Sequence, residues 1–407
     1  MLSLANGTWA KADRLLLIGA VSSISFFVFN VLWQVDFAKT MPDGTIVLVS
    51  DFLSFWMAAR QVLMGMPEVP YDINAFIGVQ ELYNDPGVFF AFFYPPMYLM
   101  MITPLGFFSS TTAYIVFQAF NAVALSVVMK KIARHWLAVF LVFGSPAAYM
   151  SMMNGQNGLL TAFLFGAGLL CLQSRRLVLA GVFIGLLTIK PQLGVLIPFA
   201  LLAGGYWITF LSAVVTTFLF AGASWIVFGS DTWLAFLQQI PAAQLAMTDG
   251  FLPVYHLASV FGFIVGIGGS VGVASVLQFM FGLFLVVITV WTWRKQINFE
   301  AKAIVLLSAS TLISPFIFVY DLTLLSLAIA FLAGGRANQK LPPWTTTLCA
   351  TALLITGFSF GIAQTFLIQL GPLAGLLVLI VGLRLAVFSE GTSQVTANRT
   401  ATQFQGL

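Results

Sequence analysis

Residues 94–108 read YPPMYLMMITPLGFF, fifteen apolar-rich residues with prolines near both ends. Whether they cross a membrane decides the topology of everything that follows. A spanning helix needs about 20 residues, so this stretch is short. The positive-inside tendency of short loops supplies the arbiter. If 94–108 lies re-entrant or flat at the interface, then Lys11, Arg14, Lys130, Lys131, Arg134, Arg175, Arg176, Arg294, Lys295, Lys302, Arg336, Lys340, Arg384 and Arg399 share one face, fourteen of the 17 basic residues. Ten of the 13 acids then fall on the other. If the stretch crosses, the later basic clusters change sides and the pattern collapses. The sequence is therefore read with 94–108 outside the spans and the basic face in the cytoplasm.

The rest of the chain fits a membrane protein. Of 407 residues, 60% are hydrophobic and only 7% charged, with a mean hydropathy of +1.00. Apolar runs recur at roughly 15–33, 113–129, 136–152, 157–172, 177–189, 193–204, 208–228, 271–292, 302–314, 318–334, 345–361 and 366–387. A lipid-embedded backbone must satisfy its own polar groups, so the expectation is an all-α polytopic bundle of about twelve transmembrane helices. One domain over 1–388 accommodates them, with interfacial helices in a first outer loop at about 36–112 and a disordered cytoplasmic tail at 389–407. The first run follows Lys11 and Arg14 and lacks a cleavage pattern, so it reads as an uncleaved signal anchor.

Several function classes drop out. Cys171 and Cys349 lie in apolar runs and suggest neither a disulfide framework nor a metal site. No HxxxH, HExxH or DxD occurs, so no metal or other cofactor is expected. The net charge of +4 reflects membrane orientation; no basic stretch is interleaved with aromatics for nucleic-acid stacking.

Polar groups gather on the outer side. Asp36, Asp43, Asp51, Glu68, Asp72, Glu81 and Asp85 fall within 36–85. Asp51 opens FLSFWMAARQVLM, a helix too short to span, whose Phe52, Phe55, Trp56, Leu63 and Met64 would anchor it among the lipid headgroups. Two roles are open to Asp51: an N-cap for that helix, or a carboxylate held at the membrane surface as a general base. Glu68 and Asp72 read as solvated loop residues. Tyr94 precedes Pro95-Pro96, which suits a helix start, and could face a cavity rim. Asn154-Gly155-Gln156-Asn157-Gly158 is turn chemistry whose amides also suit hydroxyl binding. Lys190-Pro191-Gln192 puts a lysine in an apolar run, a placement that costs about 2.5–3.5 kcal/mol on insertion scales. A lipid phosphate is its expected partner; snorkelling to the surface is the plainer alternative. Asp321, after Tyr320 in SPFIFVYD, could pair with Lys190 or with a substrate hydroxyl. Arg60 is a further outer cation. His256 stands in the largest later outer loop as a candidate substrate contact.

In order, DFLSFWMAARQVLMG…PYD, FYPPMYLMMITPL, NGQNG, AGVFIGLLTIKPQ and SPFIFVYD resemble glycosyltransferase family 87, the polyprenyl-phosphate-mannose-dependent mannosyltransferases of the GT-C superfamily. The resemblance covers most of 45–325. It implies a GT-C-like bundle in the plasma (inner) membrane of a bacterium, with the active site facing outside. It also implies a polyprenyl-phosphate sugar donor, a lipid or glycan acceptor, and transfer of a hexose with inversion. Asp51 matches the family's catalytic aspartate; Lys190 and the outer-loop polar residues match positions near the donor. The rival class is a lipid or glycan transporter, or flippase, for which broken helices also speak. It requires access to both faces, whereas the polar groups crowd one.

Overall fold

The computed structural model describes residues 2–404 apart from 43, 45, 86, 249–252 and 336–340, and leaves the side chains of 242–248 and 389–404 aside. Asp43, Arg336 and Lys340, and the side chain of Arg399, thus lie outside the described residues. Every run expected to span coincides with helix. Among the described residues, six helices are long and apolar enough to cross a membrane by themselves: Ala12–Asp36, Ser110–Ala133, Trp207–Pro241, Val271–Arg294, Thr345–Phe366 and Gly371–Phe388. A seventh span is available if the bent pair Trp136–Phe143 and Pro146–Met153, angled at 55°, counts as one. The expected count of about twelve transmembrane helices is not confirmed by helix length alone, several of the expected spans being short. Gly158–Gln173, Leu177–Ile189, Pro191–Ala203 and Val319–Gly335 are shorter apolar helices, and Phe299–Ser310 has 12 residues.

Glycine and proline explain several of the breaks. Gly144 and Pro146 bend the third run, Pro191 restarts the helix after Lys190, and Gly229 at φ 77° interrupts the long helix from Trp207, a conformation that only glycine adopts without strain. The short helices are central: Leu159, Phe165, Ala303, Val305 and Leu324 are all fully buried. The first span is the reverse, with none of its residues buried and Phe27 69% exposed. Apolar surface on that scale needs a lipid solvent, and the chain is an integral membrane protein.

The end of the first span and the start of the second lie together. Gln34 Nε2 and Asn30 Nδ2 reach the Tyr114 hydroxyl at 3.2 and 3.3 Å. Residues 37–109 thus leave and re-enter the bundle at one end, and within them lies the stretch 94–108. It forms a helix Pro96–Ile102 continued by a 3-10 turn to Phe107, seated against the helix Phe52–Leu63. Trp56 Nε1 donates to the Phe108 carbonyl at 2.9 Å.

The loop adds one small antiparallel pairing, Ala38–Thr40 with Ile46–Leu48. One expectation for it needs correction: Phe52–Leu63 is not held at the headgroup layer through its aromatics. Phe52, Phe55 and Trp56 are buried, because Tyr114, Phe117, Phe92 and Tyr98 supply ring partners at 5.2–6.3 Å; Leu63 and Met64 alone of the five are exposed.

Arg134, Gln173, Glu300 and Gly335 mark the opposite end, where Gln173 Nε2 donates to Glu300 at 3.0 Å. Lys302, counted among the basic residues of one face, is buried, its ammonium donating to the Trp293 carbonyl at the end of the preceding helix. The helix from Gly371 runs to Phe404.

Candidate functional site

The NGQNG turn joins the bent third run to the next helix, and its glycines set how close it comes to its neighbours. Gly155 holds φ +67°, and a side-chain carbon there would overlap Phe52 Cβ. One at Gly158 would come within 2.5 Å of the Tyr320 carbonyl oxygen. Between them Gln156 and Asn157 are pressed against the Asp51 helix on one side and the turn Val319–Leu322 on the other. Phe52 N donates to the Asn154 carbonyl at 3.1 Å, fastening the turn to the start of that helix.

Asp51 occupies the N-cap position but caps nothing: its φ and ψ are helical and its side chain accepts no bond from its own helix. Its Oδ2 instead accepts from Gln156 Nε2 at 2.9 Å, across 105 residues of sequence. The other carboxylate oxygen has no protein hydrogen-bond donor among the described residues, and the residue keeps partial exposure. Burial pushes the carboxyl above the usual aspartate value, and the bond from Gln156 draws it part of the way back. Asp72, in contrast, is a working N-cap, accepting from Ala75 N at 3.0 Å.

Gln156 is 8% exposed and held at every polar atom. Its N–H donates to the Ser151 carbonyl, its carbonyl accepts from Ser151 Oγ and Gln118 Nε2, and its Oε1 accepts from the Tyr94 hydroxyl at 3.1 Å. Burial, with the nearby charges of Asp321 and Asp51, pushes the Tyr94 phenol well up, so it stays a donor. Tyr320 and Asn157 adjoin the Tyr94 hydroxyl. Asn157 Nδ2 and Oδ1 and the hydroxyl of Tyr98 are buried without protein hydrogen bonds. Tyr98 joins this cluster and was missed by sequence reasoning; its signal was a second tyrosine four positions after Tyr94, across the Pro95-Pro96 helix start.

Behind Tyr320 the two alternatives left open for Asp321 resolve. Lys190 Nζ stands 2.6 Å from Asp321 Oδ1, with both residues buried, so the lysine neither snorkels nor faces an open phosphate site. Its ammonium also lies 4.5 Å from the Tyr320 ring and 5.7 Å from that of Phe318, in cation–π contact. Asp51, Tyr94, Gln156, Tyr320, Asp321 and Lys190 thus form one continuous polar cluster.

The remaining three predicted residues lie around it. Gln192 is half-buried two positions after Lys190. His256 sits between the rings of Tyr255 and Phe360, at 4.6 and 5.4 Å, on a segment bridged to the Lys190 side by the pairing of Leu257 with Phe318; burial pulls its imidazole down, favouring the neutral ring. Arg60 is farther off, nine residues along a helix that rises 1.5 Å per residue, or about 13 Å from Asp51, over the Trp56 ring at 5.7 Å. A cavity of about 240 Å³ lined by Arg134, Asn298 and Glu300 belongs to the opposite end of the bundle.

The sequence model of glycosyltransferase family 87 matches residues 92–315, more than half of the chain. The match takes in Tyr94, Gln156, Lys190, Gln192 and His256, and stops short of Asp51, Tyr320 and Asp321. No curated protein matches the chain.

Proposed function

This chain belongs to glycosyltransferase family 87 and is a membrane glycosyltransferase; from that premise we propose that Asp51 is the general base of a hexosyl transfer from a polyprenyl phosphate. The hexose is mannose, as the sequence resemblance implies, and the face that holds Asp51 is extracytoplasmic. The acceptor is a lipid or glycan hydroxyl. Its oxygen attacks the anomeric carbon as Asp51 removes its proton. The new carbon–oxygen bond forms while the bond to phosphate breaks, and that electron pair leaves with the phosphate. Displacement in one step inverts the centre, so a β-linked donor yields an α-linked product.

The observation that supports this reading is the carboxylate of Asp51: it heads a helix without capping it, and spends one oxygen on Gln156 while the other stays available. A base in that setting contributes typically 10²–10⁴-fold to rate. Phosphate is a competent leaving group, so cations rather than an acid assist its departure. Arg60, half-exposed on the Asp51 helix, can approach the phosphate from outside. Lys190 acts from within, its charge already shared with Asp321. Asn157 and Tyr98, with unspent hydrogen-bonding capacity, suit sugar hydroxyls.

The test is transfer by the purified protein in lipid vesicles. Radiolabelled β-linked polyprenyl-phosphate mannose should label an added lipid-glycan acceptor in an α-linkage, and a nucleotide-linked mannose should not. Labelling from the nucleotide sugar alone, or a product with retained β-configuration, contradicts the proposal.

A further inference from the structure

Resting on the assignment of Asp51 as base, we infer that Tyr94 is a positioning residue: through the Gln156 amide it fixes the orientation and charge state of Asp51. The amide of Gln156 has one donating and one accepting end. The Tyr94 hydroxyl donates to Oε1 at 3.1 Å, which commits the other end, Nε2, to face Asp51 Oδ2 at 2.9 Å. An N–H aimed at a carboxylate oxygen favours the ionised form. Were the amide turned over, its oxygen would meet Asp51 and the carboxyl would have to carry a proton to make the bond. The tyrosine thus sets, at one remove, whether the base is in the form that can accept a proton, and which of its oxygens points at the acceptor.

The backbone around Gln156 leaves no other freedom, since Ser151 and Gln118 hold its peptide group. The Tyr94 ring is fixed too, 4.6 Å from that of Tyr98 and 5.3 Å from that of Phe55. The groups around Asp51 that titrate or carry charge are Tyr94 and Tyr98 from the 94–108 segment, Tyr320 and Asp321 from the turn at 319–322, Lys190 behind that turn, and Tyr114 from the second span, whose hydroxyl is engaged by the Met152 carbonyl. Lys190 and Asp321 compensate one another, and the phenols carry no charge near neutrality. The amide bond is the direct protein hydrogen bond to the Asp51 side chain among the described residues, so control of that bond is control of the base.

Tyr94→Phe keeps the ring and deletes the hydroxyl. Transfer rates should be measured against pH alongside donor KM and detergent melting temperature. The expected result is a kcat lowered about three- to ten-fold with donor KM unchanged, beside a small fall in melting temperature from the lost buried hydrogen bond. The acidic limb of the rate profile should move to higher pH. Adding Tyr94→Phe to Gln156→Leu should lower the rate no further, because the relay is already cut. A profile identical to wild type, or a raised KM with unchanged kcat, overturns the inference; the latter would make Tyr94 a substrate contact. Asp51→Asn run in parallel separates the failures. An active Asp51→Asn overturns the base and the relay with it; an inactive one beside an unshifted Tyr94→Phe overturns the relay alone.

Discussion

Lys190 and Asp321, 131 residues apart, meet at 2.6 Å with both side chains inside the protein. Asp321 Oδ2 also accepts from the Phe318 N–H at 3.1 Å. The pair ties the break after the Leu177–Ile189 run to the turn that carries Tyr320. Removing one partner leaves an uncompensated buried charge, which costs about 3–5 kcal/mol. Lys190→Met should therefore lower the melting temperature in detergent substantially, and Lys190→Met combined with Asp321→Leu should recover most of the loss. Transfer should stay impaired in the double variant, since Tyr320 loses its cation. Thermal unfolding followed by fluorescence checks the first part and a transfer assay the second.

The glycines of NGQNG set a second expectation. Gly155→Ala places a methyl group against Phe52 in a left-handed backbone conformation, and Gly158→Ala drives one toward the Tyr320 carbonyl. Overpacking of this kind costs typically 1–3 kcal/mol. Each substitution should separate Gln156 from Asp51 and reduce transfer by more than tenfold in protein that still inserts into membranes. Gly65→Ala, at a glycine with open space around it but with positive φ, should leave the rate near wild type while costing about 1–2 kcal/mol of stability for the left-handed backbone.

The titration of Asp51 has a defined sign. Burial raises its value in the folded protein, and a general base acts in its ionised form, so under the proposal the rate should fall as pH drops through a point above the ordinary aspartate value of about 3.9. The same shift means that the folded state gains stability, relative to the unfolded chain, as pH falls through that point. At neutral pH the ionised group is a net burden on folding. Asp51→Asn should accordingly melt no lower than wild type at pH 7, which calorimetry in detergent can verify.

Orientation is checked by labelling. In a background lacking Cys171 and Cys349, Asp72→Cys in intact cells should react with an impermeant maleimide. Arg134→Cys, at the opposite end of the bundle, should react only after permeabilisation. The reverse pattern would put the Asp51 end in the cytoplasm.

Much of this was legible in the sequence, for particular reasons. Hydropathy located the runs that become helices, because lipid-facing residues such as Phe27 and Leu17 must be apolar whatever their neighbours. Charge asymmetry put 94–108 outside the spans, and the contact of Gln34 with Tyr114 brings together the ends of the two helices that flank the loop. The run 208–228 ends where Gly229 breaks the helix. Hydropathy could not distinguish a full span from the short buried helices, since Leu159 and Phe165 are as apolar as any lipid-facing side chain. The site was legible as segments but not as contacts. An aspartate before a helix reads as a cap, and only the fold, by bringing Gln156 across 105 residues, shows the carboxylate otherwise engaged. Phe52, Phe55 and Trp56 looked like membrane anchors for the same reason: their partners, Tyr98 and Tyr114 among them, come from other parts of the chain.

The central claim concerns one carboxylate, and Asp51→Asn in membranes tests it most directly. With radiolabelled polyprenyl-phosphate mannose and a lipid-glycan acceptor, the variant should insert and bind donor like wild type yet transfer at least 10²-fold more slowly. Transfer at the wild-type rate would contradict the account.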